Sequence, residues 1–395
     1  MIYLKTILYI SFFLLFINSP IFINYYNIKY SNLWLMIIPI IGIIIFYNYF
    51  RFTTIRRIDP KFFKLYLNPN LALFIGLICN ILVLRKFDLV NFFVGNIYMI
   101  RDDFNDFNVS FLDQLLPALI VYPFLFLIWS FGNSEIKKDW KLYLIAFFIV
   151  LFGLSSGGRA FVFTLLLLYI FIAKPKIFSL KYLPFIAGII FLFVFITIGR
   201  ITKDFEFNKV KYLEASAPLE YSDYLKDDRI NPELRDFVVE IVFYFGQSVP
   251  AFCNKVENLE FTLMPRSVIG LQPFLERQLI RIGIIQHDQN ERYLELINLS
   301  NNSGFFANSW STAFLDVYFH EGVFFAILFF VMVALILFFT EKNLIATNSV
   351  KYKVLTGFNV VFIITFFLTP AFMDTTCFFT YALILFCNND DVVSG

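Results

Sequence analysis

The stretch LSSGGRAFVF, residues 154–163, sets two serines, two glycines and a full positive charge between long apolar runs. An apolar helix begins near Arg159, and unpaired backbone N–H groups and the positive end of the helix dipole gather at such a start. Two positive sources in one place repel until an anion joins them. Gly157 and Gly158 let a ligand come close to the backbone, as at other phosphate-binding helix starts. A second reading of the same residues is a tight turn with an arginine reaching up to lipid phosphates.

Other charged groups fall into two sets. Arg200 closes an apolar run in ITIGRITKDFE, as an interfacial anchor or a ligand contact, and Arg266 stands between apolar residues in FTLMPRSVIG, an unusual setting for a solvated charge. Arg277 and Arg281, four apart in FLERQLIRIG, share one helical face as a second cationic clamp or an interfacial anchor. In NSWSTAFLDVYFHEG, Thr312, Asp316 and His320 form one helical stripe at i, i+4 and i+8. There Asp316 would orient or charge His320, giving a base able to take a proton near neutral pH. The alternative is a structural hydrogen-bonded pair. Asp374, in a short turn between the last two apolar runs, is a further contributor to that wall, whereas His287 in IQHDQNER reads as solvated. Two histidines are too few for a histidine-built zinc site, RDDFNDF (residues 101–107) lacks calcium-loop spacing, and no Walker motif is present. No cofactor is called for, and no nucleic acid.

These residues sit on an unusual scaffold. Of 395 residues, 59% are hydrophobic, 21% aromatic and only 16% charged, and the mean hydropathy is +0.72. Soluble domains carry about a quarter charged residues. The chain therefore reads as an all-α polytopic membrane protein. Apolar runs at about residues 4–23, 31–50, 71–86, 111–131, 140–154, 159–173, 182–199, 311–340, 352–369 and 371–387 give about ten candidate transmembrane helices. The first reads as a retained span rather than a secretory signal. Basic residues cluster in the short loops: Arg51, Arg56, Arg57, Lys61 and Lys64; Lys137, Lys138 and Lys141; Lys174, Lys176 and Lys181; Lys342, Lys351 and Lys353. Alternation places all four groups on one side, which the positive-inside rule makes cytoplasmic, with both termini. Arg159 then faces outward. The expected organisation is residues 1–199 with seven spans, 200–310 as a long, mostly helical extracytoplasmic cap, and 311–395 with three spans and a cytoplasmic tail.

This arrangement resembles the Wzy-type O-antigen and capsular repeat-unit polymerases, relatives of the O-antigen ligases. The resemblance rests on some ten spans with both ends inside, one long outer loop before the last three spans, and the SSGGRA bend at residues 155–160. It implies a GT-C-like architecture in the bacterial cytoplasmic (inner) membrane and a role in lipopolysaccharide or capsule biosynthesis. A growing glycan would pass from undecaprenyl pyrophosphate to another lipid-linked repeat unit. The expected partners are that lipid-linked oligosaccharide, membrane lipids and a chain-length-regulating co-polymerase. Arg159, Arg200 and Arg266, with Gly157 and Gly158, would hold the pyrophosphate, because a guanidinium fork pairs bidentately with phosphate oxygens. Asp316 and His320 are the catalytic candidates. The ligases carry a His-Asn pair about ten residues before a glycine at the start of the span after the large loop; this chain has Ser311, Thr312, Leu315 and Gly322, which favours polymerase over ligase and leaves the general base open. The competing readings are a lipid-linked oligosaccharide flippase, a ligase, and a membrane acyltransferase using His320. The absence of related halves and the long outer segment argue against a flippase.

Overall fold

The computed structural model describes residues 2–19, 21–52, 62–84, 111–133, 136, 139–155, 159–173, 210, 214, 217–227, 229, 231, 235, 238–239, 242–243, 245–266, 271–285, 289–305, 312–367, 371–388 and 393–394. The chain is mostly helical. Among the described residues, three helical stretches are long and apolar enough to cross a membrane, Tyr30–Arg51, Leu115–Gly132 and Ala313–Thr347, and five shorter apolar helices accompany them. The expected span at 182–199, the acidic RDDFNDF stretch and the lysines at 137, 138, 174, 176 and 181 lie outside the described residues, as do Arg56, Arg57, Lys61 and His287.

By their internal contacts the residues form two compact units. The first comprises Met1–Ile55, Asp204–Phe338 and Phe362–Met373. It opens with α1 (Ile2–Ile17), strand β1 (Ile23–Tyr25), a 3-10 turn (Tyr30–Leu33) and α2 (Trp34–Phe52). The side chains of Phe12, Leu15, Ile38, Ile45 and Tyr49 are exposed along α1 and α2. In water such faces would drive aggregation; a hydrocarbon solvent accepts them.

The long polar segment folds onto the connection between α1 and α2. Strand β3 (Leu219–Tyr221) pairs antiparallel with β1 in the register Ile23↔Tyr221, Asn24↔Glu220 and Tyr25↔Leu219. Helices α8 (Asp223–Lys226), α9 (Ser248–Glu257), α10 (Pro273–Arg281) and α11 (Gln289–Asn302) come next in this segment. Asn254 ties α9 to two neighbours: its Oδ1 accepts from the Lys29 backbone N–H at 3.2 Å, and its Nδ2 donates to the Asn27 and Ser303 carbonyls at 3.4 Å. The Asn32 amide donates to the Cys253 carbonyl at 3.0 Å, and Lys29 pairs with Glu257. Below this layer Ile23, Leu219, Tyr221, Val242, Phe243, Ala251 and Phe305 form an apolar core. The described residues of this polar segment thus form a packed, largely helical layer. The predicted helix at FLERQLIRIG is α10, which stops before Gly283, whose φ of +74° favours glycine.

The second unit comprises Arg56–Lys203, Phe339–Val361 and Asp374–Gly395. It contains β2 (Tyr66–Leu67), α3 (Pro69–Leu84), α4 (Phe111–Leu119), α5 (Val121–Gly132), α6 (Trp140–Ser155) and α7 (Arg159–Ala173). The apolar run at 111–131 forms two helices with Pro117 inside the first, a residue that removes one intrahelical donor. Cys79, Val83, Leu116, Ile120 and Phe152 make the core between α3, α4 and α6, and the buried Asn80 amide donates to the Gly76 and Phe148 carbonyls at 2.8 and 2.9 Å.

Helices α12 (Ala313–Thr347) and α13 (Val350–Phe366) each have residues assigned to both units, and α14 (Thr375–Phe386) with β4 (Val393–Ser394) completes the second. Asn348 ends α12 in the left-handed region, φ +49°, with its N–H donating to the Leu344 carbonyl at 2.8 Å. A buried polar chain then clamps three helices of the second unit: Asn359 Nδ2 donates to Thr340 Oγ1 at 2.7 Å, and the Tyr381 hydroxyl donates to Asn359 Oδ1 at 2.9 Å. Such clamps hold apolar helices together where no water competes for the bond.

Candidate functional site

The site in the first unit is built on a break in α12. At Gly322 the backbone takes φ 67° and ψ 175°, outside any helical region. The residues from Val323 to Thr347 (347 − 323 + 1 = 25) already exceed the roughly 20 that a span needs. The turns Ala313–Glu321 before the break therefore form a separate short helix carrying Asp316 and His320, where the sequence alone gives one continuous span.

A non-helical segment, residues 260–266, fits into this break. The Val323 N–H donates to the Thr262 carbonyl and the Arg266 N–H to the His320 carbonyl, both at 2.9 Å. These bonds satisfy backbone groups that the interrupted helix frees. Thr262 Oγ1 donates to the Met264 carbonyl at 2.9 Å and tightens the turn. A Cβ at position 322 would lie 2.6 Å from the Met264 oxygen and 2.7 Å from the Thr262 oxygen, so only glycine lets the two backbones meet this closely.

The same segment aims the Arg266 side chain. Its Nη2 donates to the Glu260 carbonyl at 2.6 Å, its Nη1 pairs with Glu295 Oε2 of α11 at 2.8 Å, and the guanidinium lies 4.9 Å from the centre of the Phe319 ring. Backbone and ring fix where the cation sits, and a carboxylate balances its charge. The Arg266 side chain is 18% exposed and that of Glu295 is 53% exposed, so the counter-ion is much the wetter partner. Arg266 Nε is buried without a hydrogen-bond partner.

His320 is buried, with its ring 4.9 Å from that of Phe319 in an edge-on arrangement. Asp316 is half-buried and lies within electrostatic reach of Lys255 of α9. Lys255 is only 3% exposed. Burial pushes its ammonium down to about 8, against the opposing pull of the Asp316 charge. Thr312 is fully buried and its hydroxyl has no hydrogen-bond partner. The Tyr318 hydroxyl donates to the Leu35 carbonyl at 2.8 Å and fixes the short helix against the start of α2.

Of the residues singled out in the sequence, the structure brings Arg266 and His320 together through a backbone bond and places Asp316 one turn away on the same short helix. Arg159 is the first residue of α7, as expected of a helix start, and nothing beyond its backbone is described. Gly157, Gly158 and Arg200 lie outside the described residues. Asp374, offered as part of the catalytic wall, caps α14: its Oδ1 accepts from the Cys377 N–H at 2.9 Å. Arg277 and Arg281 are exposed on α10.

Sequence reasoning missed Lys255, Glu295 and Phe319. One signal was there for Lys255: Ala251, Phe252, Lys255 and Val256 keep helical spacing, which puts a lysine at a position of the buried face. Among the described residues, no three His, Cys, Asp or Glu side chains gather as a metal would require. Comparisons of the chain with protein-family models, curated proteins and solved structures return no match. The chemistry therefore rests on the residues themselves: a positioned, partly exposed cation with an exposed counter-ion, beside a buried histidine and an aspartate within electrostatic reach of a buried lysine.

Proposed function

We propose that this chain is an oligosaccharide repeat-unit polymerase of about ten spans with both termini in the cytoplasm, acting at the outer face of the bacterial inner membrane. A hydroxyl of one lipid-linked repeat unit attacks the anomeric carbon of a glycan carried on undecaprenyl pyrophosphate. The bond from that carbon to the pyrophosphate oxygen breaks, the lipid pyrophosphate leaves with the electron pair, and a base takes the hydroxyl proton. Charge on the leaving group rises as the bond breaks, so a fixed guanidinium stabilises the transition state more than the ground state. The observation that carries this reading is Arg266, held by the Glu260 carbonyl and Phe319 at a helix break with only an exposed carboxylate opposing its charge. In this reading the pyrophosphate takes the place of Glu295, and His320 and Asp316 are the candidates for the base. Arg159, Arg200, Gly157 and Gly158 keep the pyrophosphate role that the SSGGRA bend and the end of the seventh apolar run give them.

The test is the glycan profile of cells lacking the chain, complemented with single variants. One repeat per lipid in place of a ladder supports the polymerase, and Arg266→Ala and Arg159→Ala each lose the ladder at unchanged protein level. Normal chain lengths from Arg266→Ala sink the assignment. The broken helix favours one second reading, a lipid-linked oligosaccharide transporter, because interrupted helices line transporter substrate sites. That reading requires repeat units to accumulate on the inner leaflet of the deletion strain.

A further inference from the structure

Helices α1, α2 and α12 enclose a groove of about 450 Å3, counting its open mouth, that the proposed reaction does not use. It lies within the first unit, where α1 begins and α2 ends. Leu337 on its wall is fifteen residues beyond Gly322 (337 − 322), roughly 22 Å along the helix at 1.5 Å per residue. The groove is thus separate from the Arg266 site, and its occupant is independent of the polymerase reading.

Its floor is aliphatic: Leu4, Ile7, Ile43, Ile44 and Leu337 line it. Tyr3 and Tyr47 meet edge to face at 6.3 Å and stiffen one wall. Its lining along α2 runs from Ile43 to Arg51, eight residues or roughly 12 Å. The last of these residues changes the chemistry. Arg51 is exposed and has no ion-pair partner among the described residues, and the sequence continues through Arg56, Arg57, Lys61 and Lys64. Asn48, one turn earlier, donates its side-chain amide to the Ile44 carbonyl at 2.9 Å, which leaves Arg51 as the cation of the lining.

An apolar trough two turns long that ends at a guanidinium with no ion-pair partner among the described residues matches one kind of occupant, a molecule with a hydrocarbon chain and an anionic head. We propose that this groove holds one anionic phospholipid of the surrounding leaflet, its acyl chain along Ile7 and Ile44 and its phosphate on Arg51. Basic pockets between membrane helices recognise anionic lipids by this pairing of chain and charge. A soluble anion would use Arg51 but gain nothing from the trough, and a zwitterionic lipid would use the trough but gain little from the unbalanced charge.

Native mass spectrometry of the full chain in mild detergent tests the assignment, with phosphatidylglycerol and phosphatidylcholine of identical acyl chains added in equal amounts. The expected result is one phosphatidylglycerol retained with about fivefold preference, the effect of one basic residue near a lipid phosphate. Arg51→Gln should abolish the preference while keeping the fold, since Arg51 is exposed. Ile44→Trp should reduce retention of both lipids by filling the trough; should that variant fail to fold, the Arg51→Gln comparison decides alone. Equal retention of the two lipids by the wild type overturns the proposal, as does a preference that survives Arg51→Gln. Displacement of the lipid by millimolar inorganic phosphate would assign Arg51 to a soluble anion instead. A dimer lost in Ile44→Trp would assign the groove to a second copy of the chain.

Discussion

Gly322→Ala puts the joint between the 260–266 segment and the broken helix under a defined load. The conformation at 322, φ 67° and ψ 175°, belongs to a region essentially reserved for glycine, and forcing another residue into it costs about 1–3 kcal/mol. The added methyl would stand 2.6 Å from the Met264 oxygen and 2.7 Å from that of Thr262. Both are backbone atoms, so no rotamer change relieves the clash. The 260–266 segment has to move, and with it go the Arg266 to His320 and Val323 to Thr262 bonds. Each is worth about 0.5–1.5 kcal/mol net, which brings the expected loss to about 2–6 kcal/mol. Unfolding of the purified protein in mixed detergent micelles reads this directly. Gly42→Ala is the matched control: its Cβ would meet open space inside helix α2, so stability should hold or rise by about 0.5–1 kcal/mol. Because the same shift carries Arg266 away from Phe319, the polymer ladder should fail in Gly322→Ala even at temperatures where the protein stays folded. A variant whose stability stays within about 0.5 kcal/mol of the wild type and which makes normal polymer would show that the segment does not depend on this close approach.

Glu295→Gln removes the counter-ion of Arg266 while keeping a hydrogen-bonding group, so inorganic pyrophosphate should protect the variant against thermal unfolding at lower concentration than it protects the wild type; equal protection would mean Glu295 does not compete with an anion. Lys255 predicts an alkaline effect: with its folded value near 8 and its ordinary value at 10.5, the charged form is disfavoured in the fold below about pH 8 and that penalty is relieved as pH rises to 10.5. Stability should therefore climb by on the order of 3 kcal/mol across that window, and Lys255→Met should flatten the climb; a wild type with no rise between pH 8 and 10.5 refutes it. Asn359→Ala removes the bonds to the Thr340 and Tyr381 hydroxyls and should cost about 1–2 kcal/mol in an unfolding titration, whereas no change would mean the chain of bonds contributes nothing to holding the helices together.

How much of the structure was readable in advance depended on the kind of interaction. The apolar runs at 31–50, 71–86, 140–154 and 159–173 lie within a few residues of α2, α3, α6 and α7, because helix length in hydrocarbon is a property of the local sequence. Pro117 was visible too, yet a run of apolar residues does not announce where it divides. The break at Gly322 was hidden for a stronger reason. Its partners are backbone atoms of Thr262 and Arg266, more than fifty residues upstream, and a carbonyl carries no mark in the sequence. Arg266 stood out because a charge between apolar neighbours is costly unless something receives it. Glu295, in the polar helix α11, looks like any solvated glutamate, and only the fold turns it into a counter-ion.

The way Arg266 is held separates position from charge. Its position is set by the Glu260 carbonyl, by the Phe319 ring and by its own N–H on His320, contacts that need no carboxylate. Its charge is balanced by a glutamate side chain that is 53% exposed, and ion pairs that wet contribute about 0–1 kcal/mol. An incoming dianion that pairs bidentately with the guanidinium meets little resistance from so weak a competitor. The cation itself would not have to move, so the cost of ordering it has already been met in folding. The asymmetry between a fixed arginine that is 18% exposed and a carboxylate that is 53% exposed is the physical ground for proposing Glu295 as a placeholder for a ligand's negative charge.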